Sequence, residues 1–299
     1  MTALLPARAP AFRAPPGACD CHMHAYGPAD IYPPAPASPF PPVAGGEIAA
    51  YFRARALLGL SRAVVVQPSV YGFDNRATLD AMAALGEDGR GVAVVPPDVA
   101  EAELERLTAL GIRGVRFFMI GGGALGWEHL ETLAAKVAAF GWHVQMQMDG
   151  RLLHEAEERL ARLPGRLVID HNGKFLEPVG IDHPGFRALR RLVEGGRTFV
   201  KTSGVYETSR LGPPDYADVA RLARTLIAAY PERCLFATNW PHPSKPGNPP
   251  DDAGLLDLFA GWCGDAAVAA RILVDNPAEV YGFPPVGPEC RPEGRTLSC

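Results

Sequence analysis

Asp20-Cys21-His22-Met23-His24 is the stretch on which the fold turns. It closes an apolar run that begins at Ala18. Two histidines at i and i+2 on a strand face the same side. An open doubly wound sheet, the rival architecture, usually carries a glycine-rich phosphate turn after its first strand. Here that turn is His-Met-His, which favours a barrel whose strand ends carry chemistry. Working outward, short apolar runs recur and give expected strands at 18–24, 63–69, 91–96, 114–119, 143–148, 167–171, 198–203 and 235–239. Helical patterns fall between them near 47–59, 75–86, 99–110, 127–140, 151–163, 184–194, 214–229 and 251–260. The run Glu101-Ala-Glu-Leu-Glu-Arg-Leu is strongly helical by propensity. Eight strands alternating with eight helices is the (β/α)8 count.

A chain of 299 residues with 47% apolar content has ample material for one large core. The expected organisation is an extended arm over 1–17, a single-domain barrel over 18–285 and a tail over 286–299. A net charge of −4 gives no electrostatic case for nucleic acid or an anionic membrane as partner. No apolar run approaches the roughly 18 residues of a spanning helix, and the N-terminus lacks a basic-then-apolar signal pattern. The six cysteines (19, 21, 234, 263, 290 and 299) follow no disulfide framework and read as reduced thiols. A cytoplasmic protein, monomer or homodimer, with a small-molecule partner is the expectation. The proline- and glycine-rich stretches 26–46 and 239–250 each follow a strand with a chemical residue and read as walls or lids of a pocket.

The polar residues at the expected strand ends form a constellation. They are His22 and His24, Gln67 and Ser69, Arg116, Gln145 and Gln147, then His171 with Lys174 beyond it, Ser203 with Tyr206, and finally Asn239 and His242. A lone strand histidine is more often a satisfied core residue, but three at strand ends shift the balance for His22, His24 and His171. The plain alternative for Arg116 is an ion pair at the barrel mouth. Gln67 and Gln145 can equally brace a loop. Asp170 precedes His171 and by alternation faces away from it, so it reads as structural. Lys201 shares a face with Ser203.

Several motifs in order carry a resemblance over nearly the whole chain. They are Asp-Cys-His-Met-His with Gly27-Pro28, Val66-Gln67-Pro68-Ser69 with Asp74-Asn75, and Arg113-Gly114-Val115-Arg116-Phe117. Then come Gly141-Trp142-His143-Val144, Val168-Ile169-Asp170-His171, Ala237-Thr238-Asn239-Trp240-Pro241-His242-Pro243, and Asn276-Pro277. The chain resembles the metal-independent lactonase branch of the amidohydrolase superfamily (amidohydrolase-related family 2), with 2-pyrone-4,6-dicarboxylate lactonase and D-galactarolactone isomerase among its members. That resemblance implies a distorted amidohydrolase-type TIM barrel and a hydrolase that opens a small carboxylated or sugar-type lactone in carbon catabolism.

Zinc-using members of the superfamily draw on the first-strand histidines, a carboxylate or modified lysine from a middle strand, further histidines and a last-strand aspartate. Here the fifth strand offers amides and the last offers Asn239, a weak ligand. His22, His24 and His171 can in principle hold one ion by themselves, but no metal and no cofactor is the expectation. In the lactonase-like scheme the last-strand acid deprotonates water, and the N–H groups of His22, His24 and His171 stabilise the oxyanion. Arg116 grips a substrate carboxylate.

Asn239 stands where that general base is expected. Three explanations compete: an engineered Asp→Asn trap, a natural site with His242 or His171 as base, or a protein that isomerises or only binds. Near-isostery with Asp favours the first. A metal-dependent hydrolase or decarboxylase is a third class. The run after Arg116, Phe-Phe-Met-Ile-Gly-Gly-Gly, holds no second basic residue. This points to a substrate with one carboxylate, or a neutral sugar-type lactone. Tyr206 and Arg210 are possible contributors from the seventh loop.

Overall fold

The strands of this chain are rich in β-branched and small apolar residues, as in the Arg-Ala-Val-Val-Val run of the second strand, and all but a few of their residues are buried. That composition suits strands covered on both faces. In a computed structural model, which describes residues 4–36 and 38–286, eight parallel strands pair in sequence order: β1 (Cys19–Met23), β2 (Arg62–Val66), β3 (Gly89–Ala93), β4 (Ile112–Phe118), β5 (His143–Gln147), β6 (Leu167–Ile169), β7 (Thr198–Lys201) and β8 (Cys234–Leu235). Outer helices follow them, at Ile48–Leu58, Arg76–Leu85, Glu101–Ala109, Leu130–Ala138, Leu153–Ala161, Pro184–Glu194, Ala217–Ala229 and Asp252–Cys263. This is a (β/α)8 TIM barrel.

The ring closes through irregular backbone. β8 is two residues long, against the expected 235–239, and Asn239 takes a left-handed φ of 62° that a regular strand cannot hold. The chain past β8 nevertheless bonds to β1. Cys21 N donates to Phe236 O, Asn239 N to His22 O at 2.8 Å, and His24 N to Trp240 O at 2.8 Å. β1 is itself distorted, its pairing with β2 shifting between Asp20 and Met23. Cys21 belongs to the apolar cluster inside the barrel, with Val64, Val92 and Phe199. Its neighbour His22 also reaches across the barrel, to Lys201 of β7. A regular strand cannot turn consecutive side chains to one face, and the shift supplies the exception. Buried Asp20 pins this segment, accepting from Thr238 N and Oγ1, Tyr51 Oη and His22 N.

Residues 4–17 hold no helix or strand. The arm is docked: Trp240 Nε1 donates to Leu4 O at 3.1 Å, and Phe12 N to Asp257 Oδ1 at 2.8 Å. The expected tail lies outside the described residues apart from Val286. The expected helix over 214–229 begins at Ala217, after a separate turn over Val205–Thr208.

Candidate active site

At the C-terminal mouth of the barrel a cavity of about 310 Å3 opens between strand ends and loops. Of the expected site residues, His24, Ser69, Arg116, Gln147, His171, Lys174 and Asn239 line it. Tyr26, Phe40 and Pro41 from one proline-rich stretch, and Pro243 and Ser244 from the other, complete the wall. A larger hollow of about 790 Å3 lies between the arm and the helices near 266–275, but it holds none of the strand-end residues.

Beneath the cavity lies a floor of buried charge. Lys201, 0% exposed, donates from Nζ to Gln145 Oε1 at 2.7 Å and to His22 Nδ1 at 3.1 Å, with Asp170 Oδ1 at 3.3 Å. Gln145 Nε2 donates to Asp170 Oδ2 at 3.1 Å. Burial pushes the Asp170 carboxyl up, but Lys201 and His22 outweigh it and hold the carboxyl well below its ordinary range. His22 is lowered by burial and by Lys201, so it is neutral. Asp170 is therefore the anion at the centre of the floor, which corrects the alternation argument made from sequence. That argument failed because β6 ends at Ile169 and His171 takes a φ of 52°, so strand alternation stops before it.

Hydrogen bonding fixes the histidine tautomers. A carbonyl only accepts, so His24 Nδ1 carries its proton and His24 Nε2 accepts from His22 Nε2. His22 Nδ1, 3.1 Å from Lys201 Nζ and 3.3 Å from Asp170 Oδ1, turns its lone pair to the ammonium. His22 Nε2 faces His24 Nε2 at 3.2 Å, while His24 Nδ1 donates to Val66 O at 2.7 Å. The N–H groups of both residues are thus engaged within the protein, and His22 lies below the cavity surface rather than on it. His171 bonds through Nδ1 to Ser203 Oγ at 2.9 Å, leaving Nε2 without a protein partner. Gly204, with φ +69°, has no Cβ to crowd this ring. Burial lowers His24 to about 3, with Arg116 adding to the effect, and lowers His171 to about 4.

A second chain of bonds orients Asn239. Asp252 is acceptor-only as a carboxylate, so His242 Nε2, 3.2 Å from Oδ2, carries the proton. His242 Nδ1 must then accept from Tyr206 Oη at 2.9 Å. The phenol oxygen in turn accepts from Asn239 Nδ2 at 2.8 Å. The amide nitrogen is spoken for, and the remaining amide oxygen, Oδ1, is the acceptor left over for the cavity. Tyr206 and His242 serve behind the wall rather than on it.

The walls carry the remaining charge. Arg116 donates to Gln67 O at 2.8 Å and to Gln147 Oε1 at 3.2 Å, while its buried Nε has no partner. Lys174 pairs with Glu207, a cavity residue absent from the sequence-derived set. Burial raises the Glu207 carboxyl, but Lys174 and His171 outweigh it and hold it at about 2. Gln67 braces its loop, donating to Gly72 O and Asp74 O and accepting from Thr78 Oγ1. Arg210 points away, to Glu177. Five of the six non-glycine residues with left-handed φ among the described residues are His171, Asn172, Lys174, Asn239 and His242. Such strain concentrates where side chains are aimed for function.

A divalent metal of the kind that zinc-using amidohydrolases carry would have to be held by this donor set. The ligand atoms of His22, Asp170 and His171 come within 4.8 Å of one another. Three such protein donors, with water as the fourth ligand, can hold zinc where the space among them is open. The space beside His22 and Asp170 is taken by the Lys201 ammonium, and the pocket amides add no charge. With that ammonium in place these residues do not fit a divalent cation.

The matching family profile, described as Amidohydrolase, spans residues 19–283. D-galactarolactone isomerase of Agrobacterium fabrum (strain C58) is 38% identical, covering 93% of this chain and 94% of that protein. 2-Pyrone-4,6-dicarboxylate hydrolase of Comamonas testosteroni is 34% identical, over 91% and 92%. The crystal structure of an Agrobacterium tumefaciens protein in its apo state superposes with a TM-score of 0.88 at 37% identity, covering 95% of this chain and 99% of that one. By profile, sequence and architecture alike, the chain belongs to the amidohydrolase family.

Proposed function

We propose that this protein isomerises a sugar-type lactone bearing one free carboxylate, moving the acyl group from one hydroxyl of the substrate to another without water and without metal. The observation that carries this reading is Asn239. Its amide stands at the base position, oriented by Tyr206, His242 and Asp252 so that an acceptor oxygen meets the substrate. An amide orients a hydroxyl but cannot keep its proton, so the carboxylate base of the hydrolytic scheme is missing from this position. Glu207 does not replace it, because a carboxyl held at about 2 by Lys174 is a feeble base. Similarity to a D-galactarolactone isomerase supports the same reading, although hydrolases of related lactones are nearly as similar.

Isomerisation needs no net proton. In the scheme, Asn239 Oδ1 holds the attacking hydroxyl and His171 Nε2 removes its proton as the new C–O bond forms. Lys174, with N–H groups beyond the one given to Glu207, steadies the oxyanion. When the old ring C–O bond breaks, His171 returns the proton to the departing alkoxide. Arg116 grips the free carboxylate through Nε and its neighbouring N–H. A neutral His171 serves both halves, and its pKa near 4 keeps it neutral at pH 7.

The test is an NMR assay with D-galactarolactone and other mono-carboxylated lactones in 18O-labelled water. The expected outcome is interconversion of ring sizes with no label entering the carboxyl. Label in a ring-opened acid would make the protein a hydrolase. Ligand-induced thermal stabilisation with unchanged lactone would make it a binding protein.

A further inference from the structure

The floor under the cavity holds a cation that the reaction scheme does not use. Lys201 Nζ has three N–H groups and three facing acceptors: Gln145 Oε1 at 2.7 Å, His22 Nδ1 at 3.1 Å and Asp170 Oδ1 at 3.3 Å. All four residues are 0% exposed. Burying an ammonium and a carboxylate costs several kcal/mol per ion before pairing. A core that needed only to be filled would use apolar residues there, as the layer below does with Val64, Val92, Val168 and Phe199.

We propose that Lys201 is the chain's resident cation, its ammonium standing where a divalent metal would bind among His22, Asp170 and His171, and fixing the tautomers of His22 and His24. A metal would take one lone pair from each histidine. The ammonium instead donates a hydrogen bond to His22 Nδ1, which keeps the His22 proton on Nε2, where it is donated to His24 Nε2. His24 must then donate through Nδ1 to Val66 O. One charge thereby orders two rings next to the cavity, and Lys201 acts as a positioning residue. The inference rests on the metal-free part of the functional reading only. Its failure would appear in zinc binding and ring protonation, whereas failure of the lactone chemistry would appear in the products.

Two measurements test it. In the unaltered protein, 15N NMR of the imidazoles should show His22 protonated at Nε2 alone and His24 at Nδ1 alone. A His22 protonated at Nδ1, or at both nitrogens, overturns the proposal whatever any variant does. In Lys201→Ala and Lys201→Gln, zinc titrated by calorimetry and followed by thermal shift should bind one ion per chain and raise the melting temperature, with no such binding to the parent at the same site. Zinc binding by the parent that Asp170→Asn abolishes would overturn it. So would folded Lys201 variants that take up no zinc.

Discussion

The floor and the wall of the cavity are built from similar side chains to opposite ends. In the floor, Lys201, Asp170, Gln145 and His22 bond mostly to one another and are sealed from solvent, Asp170 Oδ1 alone being held by ion pairing rather than by a hydrogen bond. In the wall, Arg116 keeps an unpaired Nε, His171 an unpaired Nε2 and Asn239 an acceptor oxygen. A closed network gives rigidity and a fixed proton arrangement, whereas an open one gives something to bind. Charge and burial alone do not distinguish them; the count of unspent donors and acceptors does.

Breaking the floor should have the largest effect. Asp170→Ala leaves Lys201 buried without its anion and is expected to cost about 3–5 kcal/mol of stability, read as a lower urea midpoint, with activity lost as well. Asn239→Asp attacks the wall and should raise hydrolysis roughly 10²–10⁴-fold, read as 18O entering the product. The new carboxylate cannot donate to Tyr206, so the relay must reverse and put a second proton on His242, visible by 15N NMR. Arg116→Met should lower kcat/KM for a carboxylated lactone by roughly 10–100-fold, the worth of a charged hydrogen bond. A neutral lactone should be almost indifferent, and equal losses on both would remove the carboxylate from the substrate.

Acid should then separate the two regions more gently. Burial lowers His24 and His143 to about 3 and His171 to about 4, against 6.5 for a free histidine. The unfolded chain takes up those protons first, so stability is full above about 6.5 and declines as pH falls towards 4. Asp20, raised by burial to about 6, works the other way and offsets part of the loss. Urea midpoints at pH 7.5 and 5 should show a net decrease at pH 5. Tyr206→Phe should be mildest, about 1 kcal/mol, because it frees the Asn239 amide to rotate while leaving the floor intact. An unchanged ratio of isomerisation to hydrolysis in that variant would deny the relay its orienting role.

The barrel was legible in the sequence because periodicity is a local signal and each strand announces itself. The same reading found seven residues that line the cavity, all at or just beyond strand ends. What it lacked came from contacts between distant strands. Gln145 and Lys201 are 56 positions apart and Lys201 and His22 are 179 apart, so no spacing foretold the floor. The one visible signal was a lysine ending an otherwise uncharged strand, Thr198–Lys201. The facing of Asp170 relative to His171 was misjudged because alternation was carried past the end of β6 into a left-handed turn. Glu207 sits in a short helical turn beyond β7, where no periodic pattern marks it.

The N-terminal arm has a practical consequence for anyone handling this protein. Leu4 O caps the indole of Trp240, the residue next to Asn239, and Arg8 and Phe12 fasten the same strand of chain to Asp257. Trimming the first 17 residues to tidy an expression clone would unclasp the backbone segment that carries Asn239. A purification tag therefore belongs at the other terminus, and a shortened clone that is stable but sluggish would be reporting on this clasp.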